Sequence, residues 1–581
     1  LQGFGSKIKD INTFSFNARF IDGMFTNGLS YEDWLGSTEK FIYAVNDSVI
    51  EMALKRLPKN VYEITHRQLA VQLIKRRQDL QDKMPAYYRF LNKIIDIQTS
   101  DKNERVVISD TMNGMLGINI YKVSKNNEVD KELYSRVLDP SVTKEVRIFL
   151  QGGSDRVIIN NSSAPVIIRI VGDGASPKQY DINGSDKYLR KIHFYDGTSN
   201  AVFTGTYHNT HRHLLNNKAN TGFQITNRYN VTVPLLNIGF NVDDGFVFGG
   251  GARITRQGFR KQPYASVQQF TLAHSFSTNA FRFLYKGEWL NVAGKTDFVL
   301  QAAALAPDNT QNFFGRGNES PFNKSGDYKR FYRTRFSLYN VSPLFRWRSG
   351  KGNSVSIGPS LQYYHYTAED NMGRFITNTS LIHSYDSTTI AHEKSHAGLV
   401  VNIIHDTRNN NLLPTFGSYV NLRAQGYTGL NNYSKSFGQL LTEIAVFKSI
   451  DRKSAVVIAN RLGGGVTVGK AAFYQSLFLG GHENLLGYHQ YRFAGEHLLY
   501  NNLEARIKVA NIASYLVPGQ LGIVGFYDIG KVWQKGYNTD TWHQGAGGGI
   551  YFAPAQMAIF QLVAGHSTEG WYPYFTMGFR F

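Results

Sequence analysis

Apolar positions recur at helical spacing through the first hundred residues. Leu29, Ser30 and Asp33 form a capping-box start with an apolar staple. Trp34, Leu35, Thr38, Phe41, Ile42 and Val45 then share one face of the helix that follows. Asp47 is placed to cap a second helix carrying Ile50, Ala53, Leu54 and Leu57, and Pro58 stops it. Thr65 opens a third, with Leu69, Leu73 and Leu80 inward and Lys75, Arg76 and Arg77 mostly outward as a solvated basic face. Pro85 suits the first turn of a fourth helix that buries Tyr88, Leu91 and Ile95. Residues 1–103 therefore read as a helical soluble domain.

The period changes at residue 104. β-Branched runs at 105–109, 144–150, 156–160, 166–171 and 192–195 sit between Gly/Asp turns, and the turns at 152–155 and 172–174 look alike. This is the spacing of a short strand–turn repeat, so 104–205 reads as a small β-solenoid or sandwich. Asp155 and Asp173 are too sparse for a calcium-ligand series and read as structural turn residues. His208, His211 and His213 have no fixed fourth ligand near them, so 206–231 reads as a linker rather than a zinc site.

From 232 to 581 apolar and polar residues alternate with period two. Leu503, Ala505, Ile507 and Val509 interleave with Asn502, Glu504, Arg506 and Lys508; Val420, Leu422 and Ala424 interleave with Asn421, Arg423 and Gln425. A soluble sandwich also alternates. Strands of roughly 9–15 residues, aromatic clusters at their ends (Tyr363, Tyr364 and Tyr366; Trp571 and Tyr572) and a final stretch with Phe575, Met577, Phe579 and Phe581 on one face point instead to a membrane barrel. The fold class is mainly β: an antiparallel transmembrane β-barrel of about sixteen strands behind an N-terminal helical unit and a small β-rich unit. Leu503, Ala505, Ile507 and Val509 should face lipid, and Glu504 and Arg506 the lumen.

Composition narrows the chemistry. The 581 residues include no cysteine, which excludes disulfides, thiolate metal sites and Cys nucleophiles. No run of 18 apolar residues is present, which excludes a helical membrane span. Nothing at Leu1 resembles a leader, so a targeting segment has been removed or the chain is part of a longer one. The 63 Lys+Arg against 44 Asp+Glu give a net charge of +19, which a basic lumen and a rim facing anionic lipid account for. No nucleic-acid module accompanies the charge. His392-Glu393-Lys394-Ser395-His396 fits a zincin pattern, but it precedes a strand, where i and i+4 lie ~13 Å apart. Gly464–Lys470 nearly spells a phosphate loop, but Ala471 replaces the Mg²⁺-holding hydroxyl and no helix pattern follows. No cofactor, metal or catalytic site is expected.

Four segments carry a family resemblance. Gly480, Gly481, Asn484, Leu486, Gly487 and Tyr488 stand in a stretch similar to the loop motif of the BamA/TamA superfamily, the bacterial surface antigen barrels. The strand 503–509 follows it. Phe526 and Asp528, with Gly530, resemble the family's aromatic-x-Asp-x-Gly strand, and Asp406, Arg408, Pro414 and Gly417 resemble another barrel segment. Phe579 and Phe581 look like the terminal signal of outer-membrane barrels. The resemblance implies a loop Arg reaching toward Asp528 in the lumen, where this chain has Leu486; Arg492 is the candidate to replace it. It also implies a barrel-closing seam, expected here at Gly249, Gly250 and Gly251 of the first strand and at Pro573 and Gly578 of the last.

The function so implied is an assembly-type barrel in the outer membrane of a Gram-negative bacterium, assisting insertion or translocation of other outer-membrane or surface proteins. Its partners would be outer-membrane lipid and lipopolysaccharide and client or partner envelope proteins, without nucleic acid. The helical unit, the β unit ending at Tyr195 and Asp196, Gly258–Tyr264 and Phe313–Glu319 are also similar to the C-terminal half of metallophosphoesterase-fused members. This implies an alternative, a barrel anchor for a calcineurin-like phosphoesterase upstream of Leu1, whose metal-binding motifs are not in this chain. A passive or structural barrel subunit of a larger envelope complex is the third reading.

Overall fold

The computed structural model describes residues 4–124, 128–350, 352–514, 517–537, 539–555 and 557–581. The chain divides into two compact units, Gln2–Arg228 and Tyr229–Phe581.

In the first unit, the Ser30 hydroxyl accepts from Asp33 N at 3.0 Å and the Asp33 carboxylate accepts from Ser30 N at 3.0 Å, which starts the helix Tyr31–Ala44. Three details differ from the sequence reading. Asn46, not Asp47, caps Asp47–Leu54, accepting from Val49 N at 3.1 Å. The third and fourth helices are one, Lys59–Leu91, with Pro85 inside it. Proline omits only one ladder bond, and the apolar face is continuous across it: Tyr87, Tyr88 and Leu91 are buried, and Trp34 Nε1 donates to the Met84 carbonyl at 3.0 Å. Arg77 turns inward to Asp47 at 2.8 Å rather than outward.

The β-rich part is a solenoid of parallel rungs. One sheet stacks Ile94–Gln98, Glu145–Phe149, Ile167–Val171, Ile192–Asp196 and His211–Leu214; the other runs Ala201–Gly205, Lys178–Gly184, Asp155–Asn161 and Glu104–Asp110, and ends in an antiparallel hairpin, Leu116–Val123 with Val129–Leu138. Ile95, Val146, Ile168 and Ile192 fall in register and line its core. Ile95, expected on a helix, is thus the first rung. The segment expected as a linker holds the last rung, His211–Leu214 beside Ile192–Asp196, and the short helix Lys218–Thr221. Asp155 is a turn brace: its carboxylate accepts from Glu104 N at 2.9 Å and lies 2.8 Å from Lys178 Nζ.

In the second unit sixteen strands close into an antiparallel barrel, from Val231–Asn241 round to Gly570–Met577. Period-two alternation sets its wall: Leu503, Ile507 and Val509 are exposed on the outside, whereas Glu504 and Arg506 are buried inside. The connections at one end are short. At the other, residues 306–336, 366–393 and 470–496 fold over the mouth around a shared aromatic cluster that includes Phe313, Phe336, Tyr364, Phe375, Phe473 and Tyr474. The phosphate-loop lookalike is the barrel strand Val456–Gly469, and the zincin lookalike straddles the start of Lys394–Asp406, with His392 stacked on Tyr433 and His396 buried.

Two expectations about the barrel's ends are corrected. Gly249, Gly250 and Gly251 lie in the second strand, Gly245–Gly258, paired on both sides, and not at the seam. A Cβ at Gly249 or Gly251 would strike the Leu272 or Phe270 carbonyl, so these two glycines serve close approach between strands, whereas Gly250 has ordinary room for one. The final aromatics do not continue the lipid-facing row. The last strand ends at Met577, Gly578 takes φ +103°, and Phe579–Phe581 turn into the lumen, because Arg461 and Arg506 offer them cationic faces there.

Candidate functional site

The loop between Val456–Gly469 and His497–Ile512 starts as a two-stranded arm, Leu477–Leu479 with Phe493–Gly495, and its tip enters the lumen. Gly480, Gly481 and Gly487 have φ of +126°, +82° and +93°, values that L side chains rarely adopt, which bends the tip tightly. Asn484 pins it: its carboxamide accepts from Gly480 N and donates to the Phe478 carbonyl, both at 2.9 Å. The wall makes room with glycine. A Cβ on Gly545 would strike the Leu486 carbonyl, and one on Gly565 would meet Gly487 N at 2.7 Å.

Asp528, fully buried, projects from Gly519–Trp533 into the lumen and gathers four donors. Leu486 N reaches it at 3.0 Å and Asn502 Nδ2 at 2.8 Å, and Arg580 clamps it with two bonds of 2.7 and 3.1 Å. The cation missing at Leu486 therefore comes from the segment after the last strand. Arg492 does not take that part. Its guanidinium pairs with Glu569 at 2.6 Å and with Ser320 at 2.8 and 2.9 Å, bracing the outer loops. Arg580 also lies 3.8 Å from Glu504, which pairs with Arg506 at 2.5 Å. Arg506 in turn donates to the Phe581 carbonyl at 3.0 Å and stacks 3.8 Å from the Phe579 ring centre. Phe526 sits in the same cluster as Leu486, with Arg580 over its ring at 5.1 Å. Asp406 and Arg408 form a local bidentate pair at 2.8 and 3.0 Å. They lie at the short turn that Pro414 and Gly417 (φ +111°) shape, whose Leu412 and Leu413 pack against the cluster that holds Leu486.

The tip also bridges the seam. Among the described residues, Val231–Asn241 and Gly570–Met577 share one ladder pair, Phe240 with Phe575. Pro573 lies in that last strand, opposite Ala564 of the preceding one. On the first-strand side, Asp243 accepts from Gln490 N at 2.7 Å and bonds His489 Nδ1 at 2.5 Å. On the last-strand side, the Tyr574 hydroxyl donates to the Tyr488 carbonyl at 3.0 Å, and the Ser567 hydroxyl to that of Gly487. One loop thus holds both margins of a joint that scarcely holds itself. Arg580, Asp243 and His489 had no motif to announce them. Strand alternation with the terminal aromatics put Arg580 on the inner face, but the strand ends at Met577 and the aromatics turn inward as well, so the period did not place it.

A family model described as the Omp85 superfamily domain matches residues 309–562. Among curated proteins none matches. Among solved structures, BamA from Haemophilus ducreyi lacking POTRA domains 1–3 is similar at 14% identity and TM-score 0.43, over 60% of this chain and 70% of that one. CdiB from Acinetobacter baumannii is similar at 11% identity and TM-score 0.39, over 61% and 60%. CdiB from Escherichia coli is similar at 12% and 0.38, over 59% and 62%, so this chain spans under two thirds of either CdiB.

Proposed function

We propose that this barrel, whose residues 309–562 match the Omp85 superfamily domain, is an outer-membrane barrel of the BamA/TamA type that inserts or secretes client polypeptides in a Gram-negative envelope by opening its seam. The observation that carries this is the seam itself, joined by one ladder pair and bridged by the loop tip. In water a lost backbone bond forfeits only ~0.5–1.5 kcal/mol, but unpaired groups facing lipid cost several. The free edge of Val231–Asn241 is therefore a template that a client strand satisfies by edge addition. Opening must release Asp243 from His489 and Gln490, which makes the tip a clasp on the gate. The packed outer loops argue against a passive pore.

The test is a disulfide across the seam, Phe240→Cys with Phe575→Cys, in a protein without native thiols. A second pair, Phe248→Cys with His274→Cys, cross-links strands two and three and leaves the seam free. Oxidation of the first pair should deplete client proteins in the outer membrane, with recovery on reduction, whereas oxidation of the second should not. Equal client levels in both oxidised barrels would overturn the reading.

A further inference from the structure

At the long-loop end, next to the clasp, where Arg333 donates to the Asp243 carbonyl, a cavity of about 490 Å³ is bounded by Ser277, Thr278, Thr310, Asp327, Glu369 and Asp370 and by four arginines, Arg330, Arg333, Arg335 and Arg374. Three separate loops bring them together. Thr278 lies in the turn before Phe281–Ala293, Arg330 on the helix Tyr328–Tyr332, Arg333 and Arg335 on the short strand that follows it, and Arg374 beyond the turn Glu369–Asn371.

The charges do not cancel locally. Among the described residues the four guanidiniums have one carboxylate within ion-pair distance, Asp308 on Arg335 at 3.4 Å. Asp327 spends its carboxylate capping Arg330 N, and neither Glu369 nor Asp370 pairs with an arginine. Arg374 is 7% exposed, and among the described residues its hydrogen-bond partners are backbone carbonyls, of Asp370 at 2.7 Å, Arg330 at 3.2 Å and Arg333 at 2.7 Å. Carbonyls orient a guanidinium without neutralising it, and a buried charge without a counter-ion is costly. Burial and then the charges of Arg335, Arg330 and Arg333 depress its proton affinity, with Asp370 offsetting part of this. Two further donors are idle: the Thr278 hydroxyl, on a residue 4% exposed, and Arg335 Nε are buried and have no hydrogen-bond partner among the described residues. Arg330 presents an exposed guanidinium to the same space with no partner among the described residues.

Guanidinium forks and a hydroxyl converging on one polar cavity are the donor set for a tetrahedral oxyanion. We propose that this cavity binds a phosphate-class oxyanion at the outer mouth of the barrel, one large enough to carry a second phosphate or a sugar. Arg330 supplies the mobile donors and Thr278 and Arg335 Nε the fixed ones, while Arg333, held by the Asp243 carbonyl and by Ser277 Oγ at 3.2 Å, and Arg374 supply the charge behind them. The ligand ties the loops 276–280, 306–336 and 366–393 together, and the anion's charge completes a cluster that the protein leaves positive.

The test is calorimetric titration of the whole purified chain in neutral detergent with inorganic diphosphate. Saturable binding at or below millimolar concentration is expected, weakening with added salt. Arg330→Ala and Thr278→Val should each weaken it at least ten-fold. Neither residue's side chain holds another element, so both variants should keep the wild-type gel shift on heating. Absence of saturable binding, or unchanged binding in both folded variants, overturns the proposal. A competition with lipid A micelles separates the sources. Displacement of diphosphate assigns the site to a lipid headgroup of the outer leaflet, and no displacement assigns it to a soluble or saccharide phosphate.

Discussion

Asp528 would be a buried, unpaired carboxylate if the loop were its only neighbour, since Leu486 offers a backbone N–H and no charge. Arg580 resolves this from the opposite direction in sequence, and Asn502 and Leu486 N complete the shell. Removing one partner of a buried pair typically costs 3–5 kcal/mol because the other charge remains. Arg580→Met should destabilise the barrel by about that amount and lower the temperature of its gel-shift transition. Since Leu486 already sits against Asp528, Leu486→Arg in the Arg580→Met background should recover at least half the loss. The same Leu486→Arg change alone should destabilise, by bringing a second guanidinium to one carboxylate. An Arg580→Met barrel with unchanged heat-modifiability would remove the cation role.

At the scale of the strand, His497–Ile512 is the clearest case of one face solvated by lipid and the other by protein. Ile507 is 39% exposed on the outside, while its neighbour Arg506 is 2% exposed and held by Glu504 and Phe581. Arg at a lipid-facing position near the bilayer midplane costs ~2–4 kcal/mol. Ile507→Arg should therefore lower refolding yield into lipid vesicles. The same substitution at Val509, two residues nearer the strand's end, should cost less because the depth penalty falls toward the interface. Equal penalties at both positions would contradict the orientation of this strand in the bilayer.

The whole barrel owes its closed mouth to loops rather than to its wall. Arg316 donates to Ser476 Oγ at 2.8 Å and to the carbonyls of Ala471 and Ala472 at 2.6 and 2.9 Å, and Arg492 joins Ser320 to Glu569. These bonds cross from one loop to another, so the seal is cooperative. In planar bilayers the intact protein should pass little current, although a sixteen-stranded barrel has an interior wide enough for an aqueous channel. Replacing residues 480–490 by a Gly/Ser linker of equal length should raise conductance several-fold and broaden its fluctuations. A replaced loop that leaves the current at the intact level would show that the seal lies elsewhere.

The period-two rows around Leu503 and Ile507, the helical face from Trp34 to Val45 and the β-branched rungs after 104 were legible in sequence, because each is a local repeat whose period decides which face meets water, lipid or core. The barrel class and the loop at Gly480–Tyr488 followed from the same local information, with family resemblance supplying the latter. What the sequence could not decide were pairings between distant residues. Arg492 and Arg580 are both basic and within reach of a lumen acid in principle, and nothing local distinguishes Glu569 from Asp528 as a partner. The glycines of the second strand looked like a seam because a weak strand at a sheet's edge and a closely packed strand in its interior share the same composition. Phe579 and Phe581 fit a lipid-facing period until Gly578 turned the chain toward the guanidiniums of Arg506 and Arg461. Local period determined the elements and their faces; barrel closure, which brings residues hundreds of positions apart into hydrogen-bonding distance, decided which charge answers which.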